Sequence, residues 1–259
     1  MGERKFMKVK KITKLISVYL LVLSACAGCS ISEQDLDKIQ GAISPYVEEE
    51  KSDAIYEVLG EKLIIDSDIS SLKIVRGSSE NIEVSMVKKL GGSDEEALKE
   101  EIKKVNLSYE AGKLNISSKI SDAIATSNTI RTTIKIPNKI EYIEIYDDLG
   151  EVELDGDYKN LNVKLNIGEF SYTGEAKNCD VNVNTGDINL DLKKVEKDYV
   201  YNATAEVGDI KIKLPYESKI NLNKECSGDE FISKGMTIDK DGAAFNVKTD
   251  IGDIEIGSN

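Results

Sequence analysis

Six times in the second half of the chain a glycine is followed at once by an acidic residue: Gly150-Glu151, Gly168-Glu169, Gly186-Asp187, Gly208-Asp209, Gly228-Asp229 and Gly252-Asp253. The glycines lie 18, 18, 22, 20 and 24 residues apart, a period that belongs to repeat architectures. Apolar residues alternate on either side of each pair, the pattern of a strand with one buried face. Leu161, Val163, Leu165 and Ile167 lead to Gly168, and Phe170 and Tyr172 follow it. Cys179, Val181 and Val183 lead to Gly186, with Ile188 and Leu190 beyond. Phe245, Val247 and Ile251 lead to Gly252, with Ile254 and Ile256 beyond. From Ile167 to Phe170 is an odd step, which a straight strand sends to opposite faces. A bend at the pair returns both flanking strands to one core, with glycine supplying the unusual backbone angle and the carboxylate bonding nearby amides.

The repeat predicts an all-β chain: a β-solenoid, or β-helix-like stack, of two-strand rungs with Gly-Asp corners, regular over 143–256. Equivalent residues then stack ~4.8 Å apart. One rung departs from the pattern. In "KINLNKECSGDEFISKG" the apolar Ile220, Leu222 and Phe231 are displaced by one from their columns, which calls for a bulge. Cys179 and Cys226 fall on different rungs, beyond the ~7 Å Cα limit for a disulfide, so two free, mostly buried thiols are expected. Upstream, from Ile55, short alternating runs such as "KLIIDSD" and "SLKIVRG" continue the β pattern. Whether 55–145 continues the stack or caps it stays open.

One segment has a different period. In "GGSDEEALKEEIKKV", Ser93 and Glu96 fit a capping box, and Leu98, Ile102 and Val105 form a narrow apolar stripe. The pairs Glu95–Lys99 and Glu100–Lys104 stand at i,i+4. This predicts one inserted amphipathic helix over about 94–105, covering an edge or an end.

The first 25 residues read as an export signal: Arg4, Lys5, Lys8, Lys10, Lys11 and Lys14, then the apolar run "LISVYLLVLSA". That run is too short for the ~20 residues of a membrane span. Leu23-Ser24-Ala25-Cys26 matches a bacterial lipobox, in which the Cys26 sulfur takes a diacylglycerol; Cys29 is the alternative acceptor. Residues 26–54 are polar and acidic and read as the lipidated cysteine and a tether, leaving 55–259 as the β-repeat domain. The signal holds six of the 34 basic residues and one of the 47 acidic ones, so the remainder carries 28 against 46. This balance argues against nucleic acid and against electrostatic docking on anionic lipid. The membrane contact is therefore expected from the acyl anchor, on the extracytoplasmic face.

The Gly-Asp/Glu repeat, the block "LIIDSDISSLKIVRGSSENIEVSM" and the lipoprotein signal together resemble the bacterial putative-adhesin family. The resemblance covers roughly 55–259. It implies a β-strand-repeat domain of unknown function, carried by proteins many of which are secreted or lipid-anchored on the Gram-positive bacterial surface. It brings no catalytic residues with it.

Several chemistries remain to be weighed. The corner column Glu151, Glu169, Asp187, Asp209, Asp229 and Asp253 could share Ca²⁺, but each rung offers one recurrent carboxylate and Ca²⁺ takes 6–8 oxygens. Corner hydrogen bonding is the favoured reading, and no metal or cofactor is expected. Two outward polar columns are predicted: Asn162, Asp180, Asn202 and Asn246 in one, and Asp148, Asn166, Asn184, Glu206 and Asp250 in the other. They suit either a glycan-binding face or a self-supporting amide ladder. The chain has no His, and past the signal only Arg76 and Arg131. Histidine-dependent nucleophiles are thereby excluded, and an enzyme is not expected. A carboxylate-pair glycosidase acting on polysaccharide is the remote alternative. The last strand, "IGDIEIGSN", reads as an unprotected edge inviting a partner or edge-to-edge self-association. The expected function is a non-catalytic, adhesin-like or scaffold lipoprotein binding a protein or glycan at the cell envelope. The alternative is an envelope-stress or regulatory accessory protein that binds a membrane protein.

Overall fold

The structure, a computed structural model, describes residues 45–258. The signal, Cys26, Cys29 and the tether up to residue 44 lie outside the described residues. The first strands are β1 (Tyr46–Tyr56), β2 (Lys62–Ile69), β3 (Ser71–Arg76) and β4 (Ile82–Gly92). Helix α1 (Glu95–Glu101) and a 3-10 turn (Ile102–Lys104) precede β5 (Val105–Glu110), β6 (Lys113–Ser118) and β7 (Ala125–Ile136). The repeat then runs through β8 (Tyr142–Leu149), β9 (Val152–Asp155), β10 (Tyr158–Ile167), β11 (Phe170–Gly174), β12 (Ala176–Thr185) and β13 (Ile188–Leu192). It continues with β14 (Val200–Val207), β15 (Ile210–Leu214), β16 (Ser218–Cys226) and β17 (Glu230–Ile232). The chain closes with β18 (Met236–Ile238), β19 (Ala243–Ile251) and β20 (Ile254–Ser258).

The fold is all-β, with two large mixed sheets and no closed barrel. One sheet runs β1-β4-β7-β3-β9-β11-β13-β15-β20-β17 and the other β18-β16-β19-β14-β12-β10-β8-β2-β6-β5. From β8 onward each glycine-acidic pair joins a strand of the second sheet to one of the first, and successive strands pair in parallel. Leu161 lies beside Ile143 and Cys179, and Phe170 beside Val152 and Ile188. The inward positions form columns. Ile145, Val163, Val181, Ala203 and Val247 make one on the second sheet, and Leu154, Tyr172, Leu190, Ile212 and Ile256 make one on the first; all are buried. Tyr201 and Phe245 stack at 4.5 Å inside. Burying such columns removes ~1.5–3 kcal/mol of apolar exposure per large side chain.

Residues 55–145 enter both sheets. β2 and β3 pair with β8 and β9 in the same parallel register, and Ser70-Ser71 stands where later units have glycine and an acid. This corner has no glycine signature, so the repeat pattern did not reveal it. The buried Ser70 hydroxyl is instead 3.0 Å from that of Thr132.

Several expectations are corrected. The tether was expected to reach 54, but β1 begins at Tyr46 and pairs antiparallel with β4. It lacks an apolar alternation because polar cross-strand pairs hold it: Lys88 to Glu50 at 2.8 Å and Ser85 to Asp53 at 2.6 Å. Ile167 was placed among inward residues but is 48% exposed, the inward residues being Leu165 and Phe170. The bend therefore begins before the glycine. The last two units also exchange places. β19 pairs with β14 and β20 with β15, so the unit bearing Gly252 lies inside, and the one bearing Gly228 is outermost. The displacement of Ile220 and Leu222 follows from a missing residue rather than a bulge, whereas Phe231 stands opposite Glu255 with unchanged spacing from its glycine and faces outward. Between Cys226, opposite Thr249, and Glu230, opposite Ile254, this unit has three residues where its neighbour has four.

The helix differs in detail. Its N-cap is Asp94, which accepts from the Ala97 N–H at 3.1 Å, rather than Ser93. Lys104 pairs with Glu101 at 2.8 Å, not with Glu100, because the tighter 3-10 turn brings i,i+3 residues together. Leu98 and Ile102 bury against Leu90 and Ala125 in a small separate core. The helix thus sits at the β1–β4 end. Cys179 is buried and Cys226 only partly so; both are free.

Candidate functional site

The corner column and the outward face of the second sheet are the two candidates. In the corners, glycine is demanded by contact as well as by angle. Gly168, Gly186, Gly208 and Gly252 have φ of +152°, +137°, +149° and +151°, and a Cβ on any of them would overlap the carbonyl oxygen of the preceding stacked glycine. The acidic residues follow in spatial order Glu151, Glu169, Asp187, Asp209, Asp253, Asp229. Asp187 Oδ1 accepts the Asp209 N–H at 2.8 Å, Asp209 Oδ1 the Asp253 N–H at 2.9 Å, and Asp253 Oδ1 the Asp229 N–H at 2.8 Å. Each aspartate thus caps the next corner's amide. Glu169 Oε1 accepts from Asn189 Nδ2 at 2.6 Å, and burial together with the charges of Glu151 and Asp187 pushes its carboxyl up. Among the described residues no group of three or more His, Cys, Asp or Glu side chains is arranged to hold a metal ion. The hydrogen bonds of Asp187, Asp209 and Asp253 support the backbone.

The outward face gathers the amides. Register aligns Asn162, Asp180, Asn202 and Asn246 as expected and adds Asn223 from the outermost unit. A second row, Tyr142, Asn160 and Asn178, lies two residues nearer the strand starts. The strands place these residues by alternation alone: each lies one position off an inward apolar residue. Asn178 donates to Asn160 at 2.7 Å, Asn246 to Asn202 at 2.9 Å, Asn184 to Asn166 at 3.0 Å and Asn182 to Asp180 at 2.9 Å. A side-chain amide has two N–H donors and a carbonyl with two lone pairs. One ladder bond therefore leaves further donors and acceptors on each. Asn162 Oδ1 is buried and has no hydrogen-bond partner among the described residues. A groove of ≈ 460 Å³ crosses these strands, bordered by Lys62, Tyr142, Glu144, Asn160, Asn178 and Asn202. Lys62 and Glu144 pair at 2.8 Å at one side.

Sequence reasoning found the Asn162 and Asn166 columns but missed Asn160, Asn178 and Tyr142. The 18-residue offset between Asn160 and Asn178 was the available signal. A further missed feature lies beside the corners. Leu149, Ile167, Val207 and Ile251 occupy one stacked position and are all exposed. Arg76 does not line the face. Its guanidinium lies 3.9 Å from the centre of the Tyr158 ring and donates to the carbonyls of Pro137, Ile140 and Asp157. Cys179 is shielded, and burial pushes its thiol up to about 12.

No family model matches the sequence, and no curated protein is similar to it. Solved structures are similar in fold. A putative cell adhesion protein from Clostridium sporogenes superposes with a TM-score of 0.50 at 19% identity, over 82% of this chain and 100% of that one. A putative adhesin from Bacteroides fragilis gives 0.46 at 13% identity, over 81% and 97%. At 19% identity the likeness to the first is one of fold.

Proposed function

We propose that this protein is a lipid-anchored, extracytoplasmic β-solenoid of adhesin type, non-catalytic, whose amide face binds a glycan at the cell envelope. The observation that carries this reading is the pair of stacked amide rows around the Tyr142 groove, in a chain whose net charge is −13. Neutral donors and acceptors beside an aromatic ring suit hydroxyl-rich ligands, and they form a patch of low charge on an otherwise acidic molecule. The shape of the chain supports a scaffold role as well. Parallel strands from seven two-strand units build the face, and no helix among the described residues is long and apolar enough to cross a membrane. A glycan array probed with the full chain is expected to show binding that falls on Asn160→Ala with Asn178→Ala and survives Asp209→Ala. Binding insensitive to the amide pair would remove the face from consideration. The anchor is tested by radiolabelled lipid, whose incorporation is expected to be lost on Cys26→Ala; label retained there would move the acceptor to Cys29 or overturn it.

A further inference from the structure

The two ends of the stack treat their edges differently. At one end α1 lies against β1 and β4, and β1 carries Glu48, Glu49, Glu50 and Asp53 against Lys51. Charge along an edge is a standard protection against pairing. At the other end the terminal strands are β17 and β18, three residues each, bonded on one side only among the described residues. Parallel pairing uses alternate backbone groups on each side. Every second N–H and C=O of Glu230–Ile232 and Met236–Ile238 therefore points away from the stack.

We propose that this β16–β18 end is a homotypic interface, where two copies of the chain meet edge to edge and each sheet continues into its partner. Phe231 is 58% exposed here, Ile238 58%, Ile232 38% and Tyr216 68%; the β1 end exposes Tyr46, Val47, Ile55 and Leu59 as well, so charge rather than apolar area separates the two ends. A Cβ on Gly235 would lie 3.2 Å from the Tyr216 ring, so the Tyr216 and β17–β18 loops form one rim. Beyond Gly228, Glu230 takes the inward position opposite Ile254, where it pairs with Lys224 from the facing sheet, and Phe231 faces outward beside Glu255. That ion pair plugs the end of the core and satisfies the one carboxylate of the terminal strands.

Charge selects the occupant. From Glu230 to Ile238 the chain has one acid and one base, Glu230 and Lys234, in a protein of net charge −13. Two copies meet here with less repulsion than anywhere along β1, where self-pairing would set carboxylates opposite one another. A head-to-tail contact would place the neutral end on the acidic one with no complementarity. The pairing is therefore isologous and closes at two. This inference is independent of the glycan reading.

Sedimentation velocity in mild detergent tests it, using the full chain with Cys26→Ala and Cys29→Ala to remove any acyl-driven association. A concentration-dependent dimer is expected. Phe231→Lys with Ile238→Lys is expected to weaken it about tenfold or more, with an unchanged far-ultraviolet spectrum, while Ile55→Lys on β1 leaves it intact. Thr237→Cys, in the same background with Cys226→Ser, is expected to give a disulfide-linked dimer under oxidation. A monomer at the highest soluble concentration, or an association that survives the double lysine variant, would overturn the proposal. So would loss of the dimer on Ile55→Lys, or a Thr237→Cys adduct formed with a different protein only.

Discussion

The middle of the stack and its outermost unit are built from the same motif and obey different rules. In the units carrying Gly168, Gly186, Gly208 and Gly252, every corner is locked between neighbours and every inward position but Thr249 is apolar. In the unit carrying Gly228, a residue is missing, Lys224 and Cys226 occupy inward columns, and Phe231 faces out. A repeat with neighbours on both sides cannot change length without disturbing both, whereas a terminal one has a single interface to satisfy. The same relaxation occurs at the opposite end of one column. Leu165, Val183 and Ala205 are continued by Asp147 and Ser67 on one side and by Thr249 and Cys226 on the other.

The largest test of this contrast is at the corners. Gly186→Ala combines an unfavourable positive φ with overlap on the Gly168 carbonyl, and is expected to cost about 3–5 kcal/mol in urea denaturation. Gly228→Ala also meets backbone, the Gly252 carbonyl, together with the Asp253 carboxylate, but Gly228 has no positive φ, and the expected cost is about 1–2 kcal/mol. Equal costs would erase the distinction between inner and outer units.

Asp147 gives the next effect. Both its carboxyl oxygens and the Ser67 hydroxyl are buried without a hydrogen-bond partner among the described residues. Burial pushes the carboxyl up to about 7; proximity to Ser67 offsets this only in part, and Asp148 and Asp68 add to it. The folded chain therefore retains a proton that the unfolded chain, with its ordinary carboxyl near 3.8, has released. Stability from this group is present at low pH, falls as pH rises through about 4 to 7, and is level above that. Asp147→Leu, matching the apolar residue of the next strand, is expected to flatten that slope and stabilise the chain at pH 8 by about 2–4 kcal/mol. An unchanged pH profile would show that Asp147 is solvated in the folded chain.

Smaller effects follow in the carboxylate ladder. Asp209→Ala leaves the Asp253 amide unbonded inside the stack, an expected loss of about 1–2 kcal/mol. Asp253→Ala uncovers only the exposed Asp229 amide, and thermal melting is expected to register less than about 1 kcal/mol. Smallest of all, Lys224→Met with Glu230→Leu replaces a partly exposed ion pair by apolar contacts and is expected to leave stability within about 1 kcal/mol. A loss larger than that of Asp209→Ala would make the outer unit as constrained as the inner ones.

Much of the architecture could be read before any coordinates. The alternation in 161–165, 179–183 and 245–247 names the buried columns, because strand parity is a local property. The Asn162 and Asn166 columns followed from the same count. β1 was missed because its pairs, Lys88–Glu50 and Ser85–Asp53, are polar, and the Ser70-Ser71 corner because a serine there replaces glycine. The groove residues Asn160, Asn178 and Tyr142 escaped because one of the three is not an amide and the row is short.

The residues alone therefore determined strand, corner and column, since alternation and the glycine angle act within a few positions of the chain. The order of the last two units was decided only by the tertiary structure. The 20-residue and 24-residue intervals around Gly228 are blind to which strand finds β14. β19 pairs there because its full-length corner stacks Gly252 on Gly208 and carries Asp253 to the carboxylate of Asp209, while the shortened corner at Gly228 fits only where one side is open.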